Sequence, residues 1–399
     1  MRYTVSAPAS LHAAIQLPAS KSISNRALIL HSLAHGNILP RNLSDCDDTI
    51  VMTRALDGNP GHIDILAAGT AMRFLTAYLS VTPGTRIITG TQRMQQRPIR
   101  ILVDALRELG ARIEYVGNEG FPPLRITGTE LTGSEISLAG NVSSQYISGL
   151  LFALPLLPDG SRLVVEGARE SASYLQLTLR ALATFGLTPR EQEEGWTIAS
   201  QGYASPGAVQ VEGDWSNAAP WLCLGMLGGE GVTVTGMDLD SLQGDRAVCR
   251  VLAAMGGQVR TAADRVTVRP GPRVPTRMDA RDIPDLVPVL AAVAAATPGV
   301  TEITGAARLR LKESDRLETT ARMLSGLGGQ VEETADGLLI RGRSHLSGGQ
   351  VDAAGDHRIA MSMAVSALRS SGAITIEGAE AVAKSYPRFF EDLESLRVN

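Results

Sequence analysis

Short runs of alternating apolar and polar residues, rich in Val, Ile and Thr, recur along the chain between pairs of glycines. They stand at 84–90, 160–167, 231–236, 299–305 and 372–378, as in Gly84-Thr85-Arg86-Ile87-Ile88-Thr89-Gly90. Period-two alternation of this kind predicts half-buried β-strands. The leading glycines are separated by 76, 71, 68 and 73 residues, and a degenerate first copy at Gly36 precedes Gly84 by only 48. A second pattern keeps the same rhythm. Apolar residues three and four apart predict helices over 101–110, 175–186, 248–256 and 319–328, each closing on a glycine suited to the left-handed position past a helix end. Extended runs then begin at Ile113, Val259 and Val331, and turns at Ala263-Asp264 and Ala335-Asp336-Gly337 lead into second strands at Arg265 and Leu338. The repeating unit therefore reads strand, helix, strand, turn, strand.

Six such units, the first shortened, predict an α/β protein of two domains with three units each. A solenoid would show a shorter period, about 20–50 residues, and a chain of 399 residues also predicts about two domains. The crossover is expected near residues 210–214, where Val209-Gln210-Val211 runs into a helix cap at Asp214. One domain is then 18–213, and the other combines 1–17 with 214–399.

Composition narrows the function classes. With 44% apolar and 20% charged residues the chain can build full cores, and a formal charge of −4 argues against a non-specific nucleic-acid binder. Any cationic site must be local. Cys46, Cys223 and Cys249 show no metal-type spacing and fit a reducing compartment. The first residues form no signal-like apolar run, and the longest apolar stretch, 286–300, is interrupted by Pro288, Thr297, Pro298 and Gly299. The expectation is a cytoplasmic protein without metal or cofactor.

The candidate chemistry is anion recognition. Residues 17–26 (Leu-Pro-Ala-Ser-Lys-Ser-Ile-Ser-Asn-Arg) and 310–316 (Arg-Leu-Lys-Glu-Ser-Asp-Arg) set cations among hydroxyls where helices are expected to begin, and free N–H groups there favour an anion. Other distinctive residues follow the repeat strands: Arg93 and Arg97 after Gly90, Ser171 and Tyr174 after Gly167, Lys312, Glu313 and Arg316 after Gly305, and Lys384 after Gly378. Equivalent loops on two opposed domains would face one cleft. A substrate with more than one acidic group is expected.

Seven segments in order carry a family resemblance. They are Ala19-Ser20-Lys21-Ser22-Ile23-Ser24-Asn25-Arg26, Ala68-Gly69-Thr70-Ala71-Met72-Arg73, Arg93-Met94-Gln95-Gln96-Arg97-Pro98-Ile99, Ser143-Ser144-Gln145, Ile283-Pro284-Asp285, Lys312-Glu313-Ser314-Asp315-Arg316-Leu317 and Asp356-His357-Arg358-Ile359-Ala360-Met361. The chain resembles the 5-enolpyruvylshikimate-3-phosphate synthases. That resemblance implies two domains of three βαβαββ units, each forming an inside-out barrel about a pseudo-threefold axis. They would close on shikimate 3-phosphate and phosphoenolpyruvate, with hinges near 14–18 and 210–214. A monomer acting on these two small molecules, with no nucleic acid or membrane partner, is implied.

Residue by residue, the resemblance implies that Lys21, Ser143, Ser144, Gln145 and Ser171 hold the shikimate phosphate. Ser22, Arg26 and Tyr174 would hold its carboxylate and ring hydroxyls, and Asp285 and Lys312 would also touch this substrate. Phosphoenolpyruvate would meet Lys21, Gly69, Thr70, Arg97, Gln145, Arg316, Arg358 and Lys384, since the planar fork of arginine matches carboxylate and phosphate oxygens in pairs. Arg73 and His357 would support these groups. Asp285 is the expected proton acceptor at the 5-hydroxyl, and Glu313 and Lys21 are the candidates for proton delivery to the phosphoenolpyruvate methylene.

The rival readings are the sister transferase acting on UDP-N-acetylglucosamine and a non-catalytic anion- or nucleic-acid-binding relative. The first uses a mobile-loop cysteine, and none stands in 93–100; aromatics at 4% disfavour a base-stacking surface. Three departures from the family pattern stand out. Only 20 residues separate Asp48 from Gly69, so the first repeat is expected to lack a helix and strands; Ala67 replaces the usual Asn and Phe74 a common Pro; Arg308 stands where Asn is frequent.

Overall fold

The computed structural model describes residues 1–7, 12–58, 60–141, 143–167, 169 and 171–396. The chain divides into two compact units. One is Ala19–Val211; the other joins Met1–Pro18 to Glu212–Asn399.

In the unit Ala19–Val211 the helices are α1 (Lys21–Leu33), α2 (Asp47–Leu56), α3 (Gly69–Val81), α4 (Arg100–Glu108), α5 (Ser144–Ala153) and α6 (Ala172–Thr184). Its two four-stranded sheets share one topology. In the first, His62–Asp64 runs parallel to Thr85–Thr89, whose other edge pairs antiparallel with Leu124–Thr127, the partner of Arg112–Tyr115. In the second, Glu135–Ala139, Ser161–Glu166, Gly195–Ile198 and Arg190–Gln192 repeat that order and sense. α3 and α5 are buried along nearly their whole length at the centre of this unit's core.

The second unit carries α7 (Trp215–Leu227), α8 (Val248–Ala254), α9 (Val287–Ala295), α10 (Arg316–Gly326) and α11 (His357–Ser366). Two of its sheets again combine a parallel pair with an antiparallel hairpin. They are His12–Gln16, Gly231–Thr235, Arg265–Arg269, Gln258–Ala262 and Arg277–Asp279, Gly299–Thr304, Leu338–Gly342, Gln330–Glu333. The third has three strands: Gly349–Asp352 is parallel to Ile374–Glu377, and the N-terminal strand Arg2–Val5 takes the antiparallel place. The last repeat is thus completed by the first residues of the chain.

The repeat pattern explains itself physically. Gly256 (φ 95°) ends α8 and Gly328 (φ 82°) ends α10, both in the left-handed region that costs glycine little. The apolar stretch at 286–300 becomes α9, short but buried at every position, with Pro288 in its first turn where no N–H is required. Among the described residues no helix is long and apolar enough to cross a membrane.

The shortened first repeat differs from its expected form in one respect. Its helix is present as α2; the hairpin is what is missing, and between α2 and the strand His62–Asp64 no described residue is in a strand. Two acids in the first turn, Asp47 and Asp48, favour that helix start.

Candidate active site

In the unit Ala19–Val211, α1 starts at Lys21, directly after Ser20. The Lys21 ammonium lies 3.1 Å from Asp48 Oδ2 in the first turn of α2, and both side chains are largely buried. Sequence reasoning missed Asp48 as the partner of Lys21; the acidic pair opening α2 was its only signal.

Arg26, one turn along α1, is almost wholly buried. Its Nε donates to Thr178 Oγ1 at 2.9 Å, Nη1 to the Ser22 carbonyl at 2.9 Å and Nη2 to the Tyr174 carbonyl at 3.0 Å. The guanidinium also sits 5.3 Å from the centre of the Phe74 ring. These partners are neutral, and burial pulls Arg26 down to about 10, with nearby Tyr174 acting against the fall. Phe74, where the resemblance would have proline, therefore supplies a π-face beneath a buried cation.

Around the start of α3, Gly69 is in contact with the guanidinium of Arg97: a Cβ there would lie 2.7 Å from Nη1. Arg73 staples the loop that carries Arg97, its Nη1 donating to the Gly69 carbonyl at 3.3 Å and its Nη2 to the Pro98 carbonyl at 3.0 Å. The Tyr146 hydroxyl donates to the same Pro98 carbonyl at 2.6 Å. The side chain of Gln145 donates to Thr70 Oγ1 at 3.0 Å, which brings these two predicted residues together. Ser143 is also a helix cap, its Oγ accepting from the Gln145 N–H at 3.3 Å. Ser144 opens α5, and Ser171 precedes α6 in a left-handed conformation (φ 53°).

The other unit gathers acids and cations more tightly. Arg316 is the first residue of α10, whose cap Asp315 accepts from the Glu318 N–H at 3.1 Å. The Arg316 side chain is 1% exposed and reaches three carboxylates: Asp285 Oδ1 at 2.9 Å, Glu313 Oε2 at 2.7 Å and Asp356 Oδ2 at 2.8 Å. Burial alone would lower its proton affinity, but Asp356, Glu313 and Asp285 together hold it above the ordinary arginine value. Glu313 also faces the Lys384 ammonium at 3.6 Å, and Asp285 faces Arg358 Nη2 at 3.3 Å.

Asp356 is the group that sequence reasoning overlooked here. It is fully buried, caps α11 by accepting from the Arg358 N–H at 2.9 Å, and anchors Arg316 from beneath. Its position just before His357 and Arg358, an acid of the kind that caps helices, was the available signal. His357 lies in the same buried turn, Nδ1 3.7 Å from Asp356 Oδ1. Lys312 is half-buried and follows the short turn Ala307–Leu311. Arg308 donates to the Arg281 carbonyl at 3.4 Å.

The model of the family described as EPSP synthase (3-phosphoshikimate 1-carboxyvinyltransferase) matches residues 5–58 and 59–393. The chain belongs to the EPSP synthase family. A 3-phosphoshikimate 1-carboxyvinyltransferase of Bacteroides fragilis is 45% identical over 404 residues, covering 98% of this chain and 97% of that relative. The EPSP synthase structure from Acinetobacter baumannii superposes with a TM-score of 0.80 at 26% identity, covering 99% of this chain and 98% of the other. The enolpyruvyl transferase NikO from Streptomyces tendae shares the fold, with a TM-score of 0.78 at 18% identity over 98% and 96% of the two chains. The EPSP synthase match is broken between residues 58 and 59, just past α2, where the first repeat lacks its hairpin.

Proposed function

We propose that this EPSP synthase family member transfers the enolpyruvyl group of phosphoenolpyruvate to the 5-hydroxyl of shikimate 3-phosphate. The observation that carries the chemistry is the convergence of Asp285 and Glu313 on one buried guanidinium, Arg316, with Arg358 and Lys384 at their other sides. Two carboxylates with different neighbours are what opposite proton transfers require. The names of the relatives, at up to 45% identity, support the substrates.

In this reading Asp285 takes the proton of the 5-hydroxyl as its oxygen attacks C2 of phosphoenolpyruvate. Glu313 or Lys21 delivers a proton to C3, giving a tetrahedral intermediate with a methyl group. Loss of a proton from that methyl and expulsion of phosphate restore the double bond, so the proton gained at C3 is balanced by one released. Arg97, Arg316, Arg358 and Lys384, with Lys21, Gly69, Thr70 and Gln145, are assigned to phosphoenolpyruvate. Lys21, Ser143, Ser144, Gln145 and Ser171 are assigned to the shikimate phosphate, Ser22, Arg26 and Tyr174 to its carboxylate and hydroxyls, and Lys312 to the same substrate. The neutral surroundings of Arg26 support this: a substrate carboxylate would bring the counter-charge its described partners do not supply. We assign shikimate 3-phosphate contacts mainly to the unit Ala19–Val211 and proton transfer mainly to the other.

Burial raises the thiol proton affinity of Cys46, Cys223 and Cys249, which disfavours any of them as an acid in turnover. That counts against the UDP-N-acetylglucosamine acceptor. The free cysteines are consistent with a cytoplasmic enzyme, and we place it there as a monomer; a dimer in sedimentation equilibrium would refute the monomer. The deciding experiment is phosphate release from phosphoenolpyruvate with each acceptor. Release with shikimate 3-phosphate alone is expected. Release with UDP-N-acetylglucosamine, or with neither, would overturn the assignment.

A further inference from the structure

We infer that Ser216 and Pro220 are positioning residues for Arg358, an inference that rests on the assignment of Arg358 to phosphoenolpyruvate. Arg358 lies in the first turn of α11 and is 4% exposed. Its Nη1 donates to the Ser216 carbonyl at 3.1 Å, and its Nη2 donates to Ser216 Oγ at 2.6 Å and to Asp285 at 3.3 Å. Two of the three contacts fall on one residue in the first turn of α7.

Ser216 meets this guanidinium with acceptors only, for two separate reasons. A serine hydroxyl has a single proton to give. Ser216 gives it to Asp214 Oδ1 at 2.5 Å, and Asp214 is itself fixed as the cap of α7 by the Asn217 N–H at 3.0 Å. The hydroxyl lone pairs are left for Arg358.

The second reason lies four residues on. In an uninterrupted helix the Ser216 carbonyl would accept from the N–H of residue 220, but Pro220 sits inside α7 and has none. A proline ring also crowds the carbonyl one turn back and tilts it away from the helix. Interior proline is costly in a helix, and here it releases the acceptor that Arg358 Nη1 uses. With these contacts made, the buried Nε is left with no hydrogen-bond partner among the described residues.

The test is steady-state phosphate release with both substrates varied, together with thermal melting, for the wild type and the variants Ser216→Ala, Ser216→Thr and Pro220→Ala. Ser216→Ala should raise KM for phosphoenolpyruvate about tenfold, with kcat less affected and KM for shikimate 3-phosphate unchanged. Ser216→Thr keeps the hydroxyl and should return KM to within about twofold of wild type. Pro220→Ala should raise the same KM roughly threefold while melting at or above the wild-type temperature, because it restores a helical hydrogen bond. A residue that merely supports the fold would not weaken one substrate in a protein of undiminished stability. Wild-type KM for phosphoenolpyruvate in Ser216→Ala or Pro220→Ala would overturn the positioning role, as would losses spread equally over both substrates without rescue by Ser216→Thr. An inactive wild type would instead overturn the assignment of Arg358, and this inference with it.

Discussion

The guanidinium of Arg97 occupies the space in which a side chain on Gly69 would begin. A Cβ at Gly69 would lie 2.7 Å from Nη1 and 2.9 Å from Nη2, closer than non-bonded atoms approach. Arg97 is buried and its loop is stapled by Arg73, so it cannot yield without leaving its seat. Gly69→Ala should therefore raise KM for phosphoenolpyruvate roughly tenfold and leave that for shikimate 3-phosphate unchanged. An unaltered KM for phosphoenolpyruvate would show that Arg97 is not placed by this contact.

Phe74 and Arg26 form the second pair. The ring supports a guanidinium that burial makes easier to deprotonate. Phe74→Leu keeps an apolar side chain of similar bulk and removes the π-face. Calorimetric titration should show the Kd for shikimate 3-phosphate rising about three- to tenfold, with phosphoenolpyruvate KM unaffected. Equal affinity for shikimate 3-phosphate would reduce Phe74 to core filling against Phe152.

Asp285 bonds two arginines, so its loss is best tested with the shape retained. Asp285→Asn should lower kcat by about 100-fold or more while the Kd for shikimate 3-phosphate stays within about twofold of wild type. Substantial residual turnover would remove Asp285 from the proton-transfer role.

Glu212 gives a pH prediction. Its Oε1 accepts from Gln243 Nε2 at 2.6 Å and from the Ser241 hydroxyl. Burial pushes its carboxyl up; the Ser241 and Gln243 bonds pull it down, and Asp238 adds to the rise. Because the folded value exceeds the unfolded one, the folded state binds the extra proton between them. Stability from this group is therefore full below the ordinary glutamate pKa and is lost as pH rises through the folded value. Glu212→Gln keeps the acceptor oxygen and removes the charge, so it should raise Tm by roughly 1–3 °C at pH 8 and by nothing at pH 4. A larger gain at pH 4 would reverse the sign.

Much of this structure was legible because strands and helices recur at a near-constant period. The closing glycines marked helix ends, and Lys21 and Arg316 stand at helix starts where the hydroxyl–cation runs put them. What stayed hidden were partners distant in sequence. Nothing near Arg316 announces Asp356, 40 residues on, and nothing near Arg358 announces Ser216, 142 residues away. Arg26 reads as a ligand-facing cation in sequence, yet its fork is spent largely on two carbonyls and a hydroxyl. The helix in the shortened first repeat was missed because a length deficit does not say which elements it removes; the acidic start of α2 spoke for the helix.

The central claim is enolpyruvyl transfer by addition and elimination, and the most direct measurement is the mass spectrum of the product formed in deuterium oxide from phosphoenolpyruvate and shikimate 3-phosphate. The account predicts an enolpyruvyl ether of shikimate 3-phosphate carrying deuterium at its vinyl carbon, because C3 passes through a methyl group. Phosphate released with pyruvate and no ether, or an ether free of deuterium, would contradict it.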